Sequence, residues 1–349
     1  MEFSVSRNFT AWLERYNVSV ALSAYEVGRL FLLGHTPDGR VSLYERSYPR
    51  CMGLHASKGS FYMGSLAHLW KFQDFGTDHA IGEGYDAAYV PTRTWTVGDL
   101  DIHDVCLNAS GELVFAATSF NCVATLSETA SFRPIWRPPF IGDLVNEDRC
   151  HLNGLCCGPD GSMFVTAFSK TDFFEGWRGT FASQGFLYDV KNEEFLVGNL
   201  CMPHSPRLLG ADLYVLESGR GMLKKVDPKT GQSEDVAFIP GYCRGLAIMD
   251  RYAVVACSTE RDGRSFDDLP LADTLSRANR TPACGIFVVN LKTGAIEHYF
   301  QMTGAVSQIF DVCILENCKQ PMLYGTAMND LKMIVKPELN ASAPAFAAG

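Results

Sequence analysis

The chain has 349 residues, of which 47% are hydrophobic and 20% are charged, a composition that is typical of a globular protein and excludes a disordered one. The formal net charge of -9 argues against a nucleic-acid-binding surface, which would need clustered Lys and Arg. No apolar run reaches the roughly 18 residues that a membrane-spanning helix requires, and the N-terminal residues lack the basic-then-apolar order of a signal peptide. We therefore expect a cytoplasmic protein that interacts with neither nucleic acid nor a membrane.

The N-terminal region predicts a short helix followed by three strands. The helix covers residues 8–16, and the strand sequences are SVALSAY, RLFLLGH and RVSLYERSY. These elements precede the first copy of a motif that recurs through the rest of the chain.

Residues 148–169 show this motif most completely. A polar entry leads into an apolar strand that ends at Cys157, Pro159 and Gly161 form a turn, and a second apolar strand runs from Met163 to Phe168. Proline followed by glycine is typical of a tight turn, so the segment predicts a β-hairpin with polar residues where it begins.

Six copies of the first strand of this hairpin align by hand. They are RCMGLHA, DIHDVCL, HLNGLCC, MPHSPRLL, YCRGLAI and QIFDVCI. Their equivalent residues are spaced by 51, 50, 51, 40 and 66 positions, which indicates one repeat with loops of variable length. The last copy is followed by PMLYGTAM, which we expect to be its second strand.

Third and fourth strands follow in several copies, for example MLKKVDPKTG and SEDVAFIPG. Four-stranded units repeated about six times predict an all-β protein with a single β-propeller. We expect the N-terminal strands to complete the C-terminal blade and close the ring. One strand is then left over, so seven blades remain an alternative to six. We assign residues 1–335 to the propeller domain and residues 336–349 to a C-terminal tail.

Two insertions, at residues 169–184 and 260–283, lie between second and third strands. In a propeller this connection is on the same face as the start of the first strand. The insertions are therefore predicted either to act as lids over that face or to be variable surface loops.

The inner strands of a propeller line its central channel, and the side chains of a strand alternate between two faces. In the favoured register one ring contains Met52, His103, Asn153, His204, Arg244 and Phe310, and the ring two residues earlier contains Arg50, Asp101, His151, Met202, Tyr242 and Gln308. A shift by one residue would instead place in the channel Asp104, Gly154, Ser205, Gly245 and Asp311. We favour the first register because three of these five are glycine or serine, which suit close packing of inner strands.

Three interpretations of these rings stay open. His103, His151 and His204 would hold a divalent metal that polarises a carbonyl group or activates water. Alternatively, the histidines would transfer protons without a metal while Arg244, Arg207 and Tyr242 stabilise an enolate or a carboxylate. In the third interpretation the histidines only fill a polar channel. The candidate substrate-binding residues are Asn153, Arg207, Glu217, Asp101 and Trp177.

The twelve cysteines lie singly in apolar strands, except for Cys156 and Cys157, and no CxxC pair occurs. This pattern argues against a structural zinc site and is typical of cysteine acting as a small buried hydrophobe.

The motifs DIHD, WRPPFI, DRCHLNGL, MPHSPR and RGLA resemble those of a bacterial family of conserved hypothetical proteins of about this length. The chain is more distantly similar to six-bladed propellers of the gluconolactonase type, which bind a divalent metal through acidic and asparagine side chains. Here Asn153 and Asp101 or Asp311 are the only comparable ligands. It also resembles propeller enzymes of natural-product pathways, including those that form furanolide-type rings.

We therefore expect an enzyme of the lyase, cyclase or isomerase type that acts on a small carbonyl compound in a biosynthetic pathway. It would use the His- and Arg-lined channel mouth for C–C bond formation, cyclisation or isomerisation. The alternatives are a metal-dependent, lactonase-like hydrolase and a non-catalytic ligand-binding or scaffold propeller.

Overall fold

The computed structural model describes residues 2–79, 84–260, 266–332 and 335–337. Part of the second insertion, residues 261–265, and the predicted tail beyond residue 337 lie outside the described residues. Within the described ranges no helix is both long enough and apolar enough to cross a membrane.

The strands are numbered in chain order as β1 (Glu2–Val5), β2 (Val18–Ala24), β3 (Arg29–His35), β4 (Val41–Ser47), β5 (Leu54–Ser57), β6 (Ser60–Gly64), β7 (His68–Asp74), β8 (Ala87–Thr96), β9 (Ile102–Leu107), β10 (Leu113–Ala117), β11 (Cys122–Thr125), β12 (Arg133–Trp136), β13 (Leu152–Cys157), β14 (Met163–Ala167), β15 (Gly185–Asp189), β16 (Glu194–Leu200), β17 (Pro203–Leu209), β18 (Asp212–Glu217), β19 (Met222–Val226), β20 (Ser233–Phe238), β21 (Tyr242–Met249), β22 (Tyr252–Ser258), β23 (Cys284–Asn290), β24 (Ile296–Thr303), β25 (Asp311–Glu316) and β26 (Pro321–Leu323). The helices are α1 (Phe9–Tyr16), α2 (Pro270–Arg277) and α3 (Met328–Leu331).

The described strands form six sheets arranged as the blades of a propeller, which confirms the six-bladed prediction over the seven-bladed one. From the centre outwards, blade 1 contains β25, β2, β3 and β4, and blade 2 contains β5, β6, β7, β8 and β26. Blades 3, 4 and 5 are β9 to β12, β13 to β16 and β17 to β20, and blade 6 contains β21, β22, β23, β24 and β1. Each inner strand contacts the inner strands of the two neighbouring blades, so the ring is closed.

The ring closes through blade 1, as predicted, because β2 pairs antiparallel with β25. The prediction that PMLYGTAM forms the second strand of the last copy is wrong. Its residues Pro321–Leu323 form β26, which pairs in parallel with β8 at the outer edge of blade 2. The reason is that β2 already occupies the position beside β25. Helix α1 buries Phe9, Trp12 and Leu13 among residues of blades 1 and 6 and so covers the closure.

Beta-bulges interrupt four of the six inner strands, β9, β13, β17 and β21, at their aligned positions. In blade 4, Leu152 pairs with Ala167 and Gly154 with Thr166, which leaves Asn153 as the extra residue. The equivalent shift in blade 6 leaves Arg244 as the extra residue, and blades 3 and 5 contain similar shifts. Because a bulge breaks the strict alternation of side chains, residues from both predicted registers reach the centre of the ring.

Gly154 and Gly245, which belong to the register shifted by one residue, allow the inner strands to approach each other closely, as the sequence predicts. A Cβ atom on Gly154 would lie 2.8 Å from the backbone nitrogen of Ser205 and 2.5 Å from Cδ of Pro206. A Cβ atom on Gly245 would lie 2.6 Å from Cα of Asp311. Blades 4 and 5 and blades 6 and 1 therefore pack backbone to backbone at these points.

Replacing Gly154 with alanine is expected to lower the free energy of unfolding by about 1–3 kcal/mol, because the added methyl group has no space. Gly198 in β16 is the matched control, since no atom lies within 4 Å of the position that its Cβ would occupy. Urea unfolding of both variants checks this expectation. Equal midpoints for Gly154→Ala and Gly198→Ala would show that the inner strands can separate at little cost.

Candidate functional site

A cavity of about 220 Å³ lies at the end of the channel where the inner strands begin, which we call the mouth. Its walls are formed by Tyr25, Arg50, Met52, Asp101, His103, Asp148, His151, Phe168, Trp177, Arg178, His204, Tyr242, Arg244 and Phe310. Residues from all six blades therefore meet here, and most of them come from the polar entries of the repeated motif.

The backbone at these entries is unusual. At four aligned positions the residue is non-glycine yet left-handed, with φ of 48° at Arg50, 52° at Asp101, 54° at His151 and 51° at Met202. Such a conformation is unfavourable for residues with a Cβ atom, and it is held here by the surrounding fold. It turns the chain ahead of the inner strands β5, β9, β13 and β17, so the side chains of these entries lie around the mouth.

Two of the histidines have a fixed tautomer. His103 Nδ1 is 2.8 Å from the carbonyl oxygen of Asp101, and His204 Nδ1 is 3.0 Å from that of Met202. A carbonyl oxygen only accepts hydrogen bonds, so these contacts assign the proton to Nδ1 in both rings. The hydroxyl groups of Thr118 and Ser218 lie 3.0 and 2.7 Å from the same Nδ1 atoms and accept from them as well. Their Nε2 atoms are then unprotonated acceptors, and no protein donor within the described ranges meets them.

Burial lowers the pKa of His103, although the charge of Asp101 opposes this effect. Burial also lowers the pKa of His204, and the positive charge of Arg244 lowers it further. Both imidazoles are therefore neutral at pH 7. They are suited to accept protons or hydrogen bonds rather than to hold a permanent positive charge.

The third histidine forms a pair with a carboxylate. His151 Nδ1 lies 2.9 Å from Oδ2 of Asp148, and the indole nitrogen of Trp177 donates to the same oxygen at 2.8 Å. Burial alone would raise the pKa of Asp148, but His151 and Trp177 outweigh it and hold the pKa below its ordinary value. Asp148 is therefore an ionised carboxylate that orients the His151 ring.

The imidazole of His151 is enclosed by other rings. Its centroid is 4.4 Å from those of both Phe168 and Trp177, and 4.7 Å from that of His103, which meets it edge-on at 84°. The ring is therefore held by a carboxylate through Nδ1 and packs against aromatic rings on several sides.

Arg244 supplies positive charge on the opposite side of the ring of blades. Its guanidinium carbon lies 5.0 Å from the ring centroid of Tyr242, 5.2 Å from that of Tyr25 and 5.4 Å from that of Phe310. Nη1 donates to Oε1 of Gln308 at 3.3 Å. The residue is only 7% exposed, so its charge acts in surroundings of low polarity.

Seven of the residues predicted for the site come together at the cavity. They are His103, His151, His204, Arg244, Tyr242, Asp101 and Trp177. Trp177 comes from the first predicted insertion. It belongs to a hydrophobic cluster that also contains Phe266, Leu271 and Leu275 from the second insertion. Both insertions therefore lie against the mouth.

Three predicted substrate-binding residues do not line the cavity. Asn153 is buried and accepts a hydrogen bond from Thr166, because the bulge directs it away from the mouth. Glu217 accepts from the backbone nitrogen of Cys201 and forms an ion pair with Arg220. Arg207 lies deeper in the channel, so all three predictions are corrected to structural roles.

The predicted three-histidine metal site is not formed. Among the described residues no group of three or more His, Cys, Asp or Glu side chains is arranged to hold a metal ion. The ligands that the gluconolactonase resemblance implies are also apart, since Asp101 lines the cavity whereas Asn153 and Asp311 are bonded elsewhere.

Sequence reasoning missed Asp148 as a partner for His151. The signal was present, because Asp148 stands three residues before His151 in the polar entry of the motif. Tyr25 was also missed, and its position between β2 and β3 carries no sequence signal that links it to the mouth.

The channel beneath the cavity is filled by an ionic cluster. Arg207 donates to Asp104 at 2.8 and 3.1 Å and to the carbonyl oxygens of Leu155 and Leu246 at 3.1 and 2.9 Å. Its guanidinium also lies 3.8 Å from Asp311. A side chain of blade 5 thus contacts blades 1, 3, 4 and 6, so it must lie near the axis of the ring.

Asp311 is expected to make stability depend on pH. Burial raises its pKa from an ordinary value of 3.8 to about 8, although Arg207 opposes the shift. The folded state then binds a proton that the unfolded state has lost, so this stabilisation is complete below about pH 4 and is lost as the pH rises through about 8. Urea unfolding at pH 5, 7 and 9 should show a larger loss in the wild type than in Asp311→Asn, which keeps only the raised pKa of Asp104. Identical pH slopes for the two proteins would contradict it.

The comparisons with known proteins support the fold. A chain in the crystal structure of a nidogen/laminin complex has a TM-score of 0.55 and 9% identity, covering 86% of this chain and 99% of that one. A protein of unknown function from Bacteroides caccae has a TM-score of 0.51 and 8% identity, with coverages of 85% and 98%. At such identities these likenesses show the propeller fold alone.

Streptogramin B lyase, with a TM-score of 0.43, 11% identity and coverages of 73% and 95%, is too dissimilar to support an argument. The search of curated proteins found no match. A family model matches residues 7–324, nearly the whole of the described chain. The chain therefore belongs to the family described as domain of unknown function DUF4915.

Proposed function

We propose that this protein is a small-molecule enzyme in which Asp148 and His151 act together as an acid–base catalyst on a carbonyl compound. The observation that carries the proposal is the 2.9 Å contact between Asp148 and His151 Nδ1 in the wall of a cavity. A carboxylate in this position holds the imidazole in one tautomer and stabilises the imidazolium that forms when the ring takes a proton.

In the proposed reaction, His151 Nε2 removes a proton from the carbon next to the carbonyl group. The bonding electrons move to the carbonyl oxygen, which becomes an enolate, and the positive charge of the new imidazolium stabilises it. The same imidazolium then returns its proton to a different atom of the substrate. If that atom is another atom of the enolate, the outcome is isomerisation. In cyclisation or C–C bond formation the enolate carbon first attacks a second carbonyl carbon, the π bond of that carbonyl group breaks, and the imidazolium protonates the resulting alkoxide.

The neutral rings of His103 and His204 have a separate role. Their Nε2 atoms accept hydrogen bonds from a hydroxyl group of the substrate or of its enol form and so position it. Asp148 Oδ1 is buried and has no donor among the described residues, so it is an acceptor that a donor on a molecule bound in the cavity would satisfy. Such orphaned acceptors are typical of sites that bind a ligand.

A metal-dependent hydrolase is not proposed, because the described side chains do not converge as metal ligands. A non-catalytic ligand-binding protein is the alternative that the test must separate from an enzyme.

Deuterium exchange measures enolate formation directly and needs no knowledge of the final product. We propose to incubate the protein in D₂O with a panel of small ketones, oxo acids and lactones, and to follow exchange at the carbon next to the carbonyl group by NMR. Exchange by the wild type that is lost in Asp148→Asn supports the proposal. Ligands that bind in the cavity without exchange or conversion would identify a binding protein instead.

A further inference from the structure

We infer that the cavity selects a small oxo acid whose carboxylate is bound by Arg244 while the carbon next to its carbonyl group faces the Asp148–His151 pair. The inference rests on the proposed function for the reaction, but the binding of a carboxylate is a separate property that is measured separately. It is argued from the surroundings of the three arginines that line the cavity, from the position of Arg244 and from the size of the cavity.

Arg244 differs from the other two lining arginines in its surroundings. Arg50 pairs with Asp99 at the rim, and Arg178 pairs with Glu175 at 2.7 Å and is half exposed. Charges of that kind are screened by solvent and contribute little to selectivity. Arg244 is more deeply buried than either, with 7% of its surface exposed, and lies between the rings of Tyr25, Tyr242 and Phe310. A carboxylate that reaches it would be bound in surroundings of low polarity, where a charge-assisted hydrogen bond is strong.

The guanidinium is also held in a defined orientation. Gln308 Oε1 accepts from Arg244 at 3.3 Å and from the Tyr25 hydroxyl at 2.7 Å, while Gln308 Nε2 donates to Glu26 at 3.0 Å. These bonds fix which atom of the Gln308 amide faces the arginine. Since guanidinium and carboxylate pair best in one plane, a fixed guanidinium selects a planar anion over a spherical one.

The two ends of the cavity require a bifunctional molecule. Arg244 belongs to blade 6, whereas His103 and His151 belong to blades 3 and 4 on the other side of the ring. His204 lies between them, since its ring centroid is 5.8 Å from that of Tyr242 and 5.2 Å from that of Phe168. A molecule anchored at Arg244 thus presents its other end to neutral imidazoles and to the Asp148–His151 pair.

The volume limits the size of that molecule. At about 220 Å³ the cavity is smaller than the roughly 300–1,000 Å³ of sites for drug-sized ligands. A short chain that carries a carboxylate and a second carbonyl group fits this space and both ends. The inferred substrate class is therefore short 2-oxo and 3-oxo carboxylates.

Binding is tested with matched pairs that differ only in charge, namely 2-oxobutanoate against 2-oxobutanamide and 3-oxobutanoate against 3-oxobutanamide. Isothermal titration should show tighter binding of the acids by the wild type. Arg244→Met should weaken acid binding on the order of 10- to 100-fold and leave amide binding unchanged. Arg251→Met is the matched control, because Arg251 also lies over a tyrosine ring, 5.3 Å from that of Tyr252, but outside the cavity.

A second readout does not depend on affinity. An anion beside Arg244 offsets the positive charge that lowers the pKa of His204, so bound 2-oxobutanoate should raise the pKa of His204 in an NMR titration. The amide should not do so. This measurement also applies if the affinity is weak.

The outcomes separate the inference from the proposed function. Acids that bind through Arg244 without proton exchange would support the inference and contradict the enzyme. The inference would be overturned if the acids bound no more tightly than the amides. It would also be overturned if Arg178→Met weakened acid binding and Arg244→Met did not. Neither result would contradict the proposed enzymatic activity.

Discussion

Replacing Arg207 with methionine is expected to lower the free energy of unfolding by about 3–5 kcal/mol, the usual effect of removing one partner of a buried ion pair. Methionine keeps much of the apolar stem of arginine, so the loss comes mainly from the guanidinium. Without it Asp104, which is only 2% exposed, must either become protonated or keep a buried charge without its cation. The carbonyl oxygens of Leu155 and Leu246 would also lose their donor.

The effect should extend beyond one blade, because Arg207 contacts four other blades. We therefore expect the urea concentration at the unfolding midpoint to fall. No partly unfolded state should appear, since each of these blades loses a contact to the same side chain. Urea unfolding followed by circular dichroism and by tryptophan fluorescence checks both expectations.

Arg40→Met is the control for removing an arginine from an ion pair, since Arg40 and Asp38 lie at the surface with side-chain exposures of 80% and 58%. Its effect should be within about 1 kcal/mol. A triple variant that also carries Asp104→Asn and Asp311→Asn should recover part of the loss, because no unpaired charge is then buried. If Arg207→Met were no less stable than Arg40→Met, the ionic cluster would not hold the blades together.

The architecture was predictable because the repeat is visible in the sequence. Each copy combines a polar entry, an apolar strand and a turn, and six such copies leave few alternatives to a propeller. The N-terminal strands lack an entry of their own, which identified them as partners of the last copy. The position of residues 321–323 was not predictable, because their pairing with β8 depends on which strand edge stays unpaired after the ring of blades has closed.

The composition of the mouth was predictable, but the direction of individual side chains was not. Period-two alternation assumes a regular strand, whereas Asp101 and His151 have left-handed backbones and Asn153 and Arg244 occupy bulges. Each irregularity shifts the following side chains to another face. The sequence therefore correctly indicated His103 and His204 at the cavity but misplaced Asn153, whose side chain bonds within its own blade.

The Asp148–His151 pair is expected to carry most of the catalytic rate. Replacing His151 with glutamine removes the group that transfers the proton, so the turnover number for α-proton exchange should fall by about 10²- to 10⁴-fold. Asp148→Asn should cause a comparable loss, because an amide also offers an N–H group to Nδ1 and no longer fixes the tautomer or stabilises the imidazolium. Both variants should retain the wild-type affinity for a carboxylate that is held by Arg244.

Trp177→Phe distinguishes a positioning role from a structural one. Phenylalanine keeps an aromatic ring against His151 but cannot donate to Asp148 Oδ2, so this oxygen keeps only the contact with His151 Nδ1. We expect a fall in turnover of about 10-fold with little change in KM, because the hydrogen bond orients the catalytic pair and does not bind the substrate. His68→Gln, a change outside the cavity, should leave turnover unchanged. If His151→Gln and Asp148→Asn exchanged protons as fast as His68→Gln, the base would have to be another residue, and His103, whose Nε2 is also an unprotonated acceptor, would be the next to test.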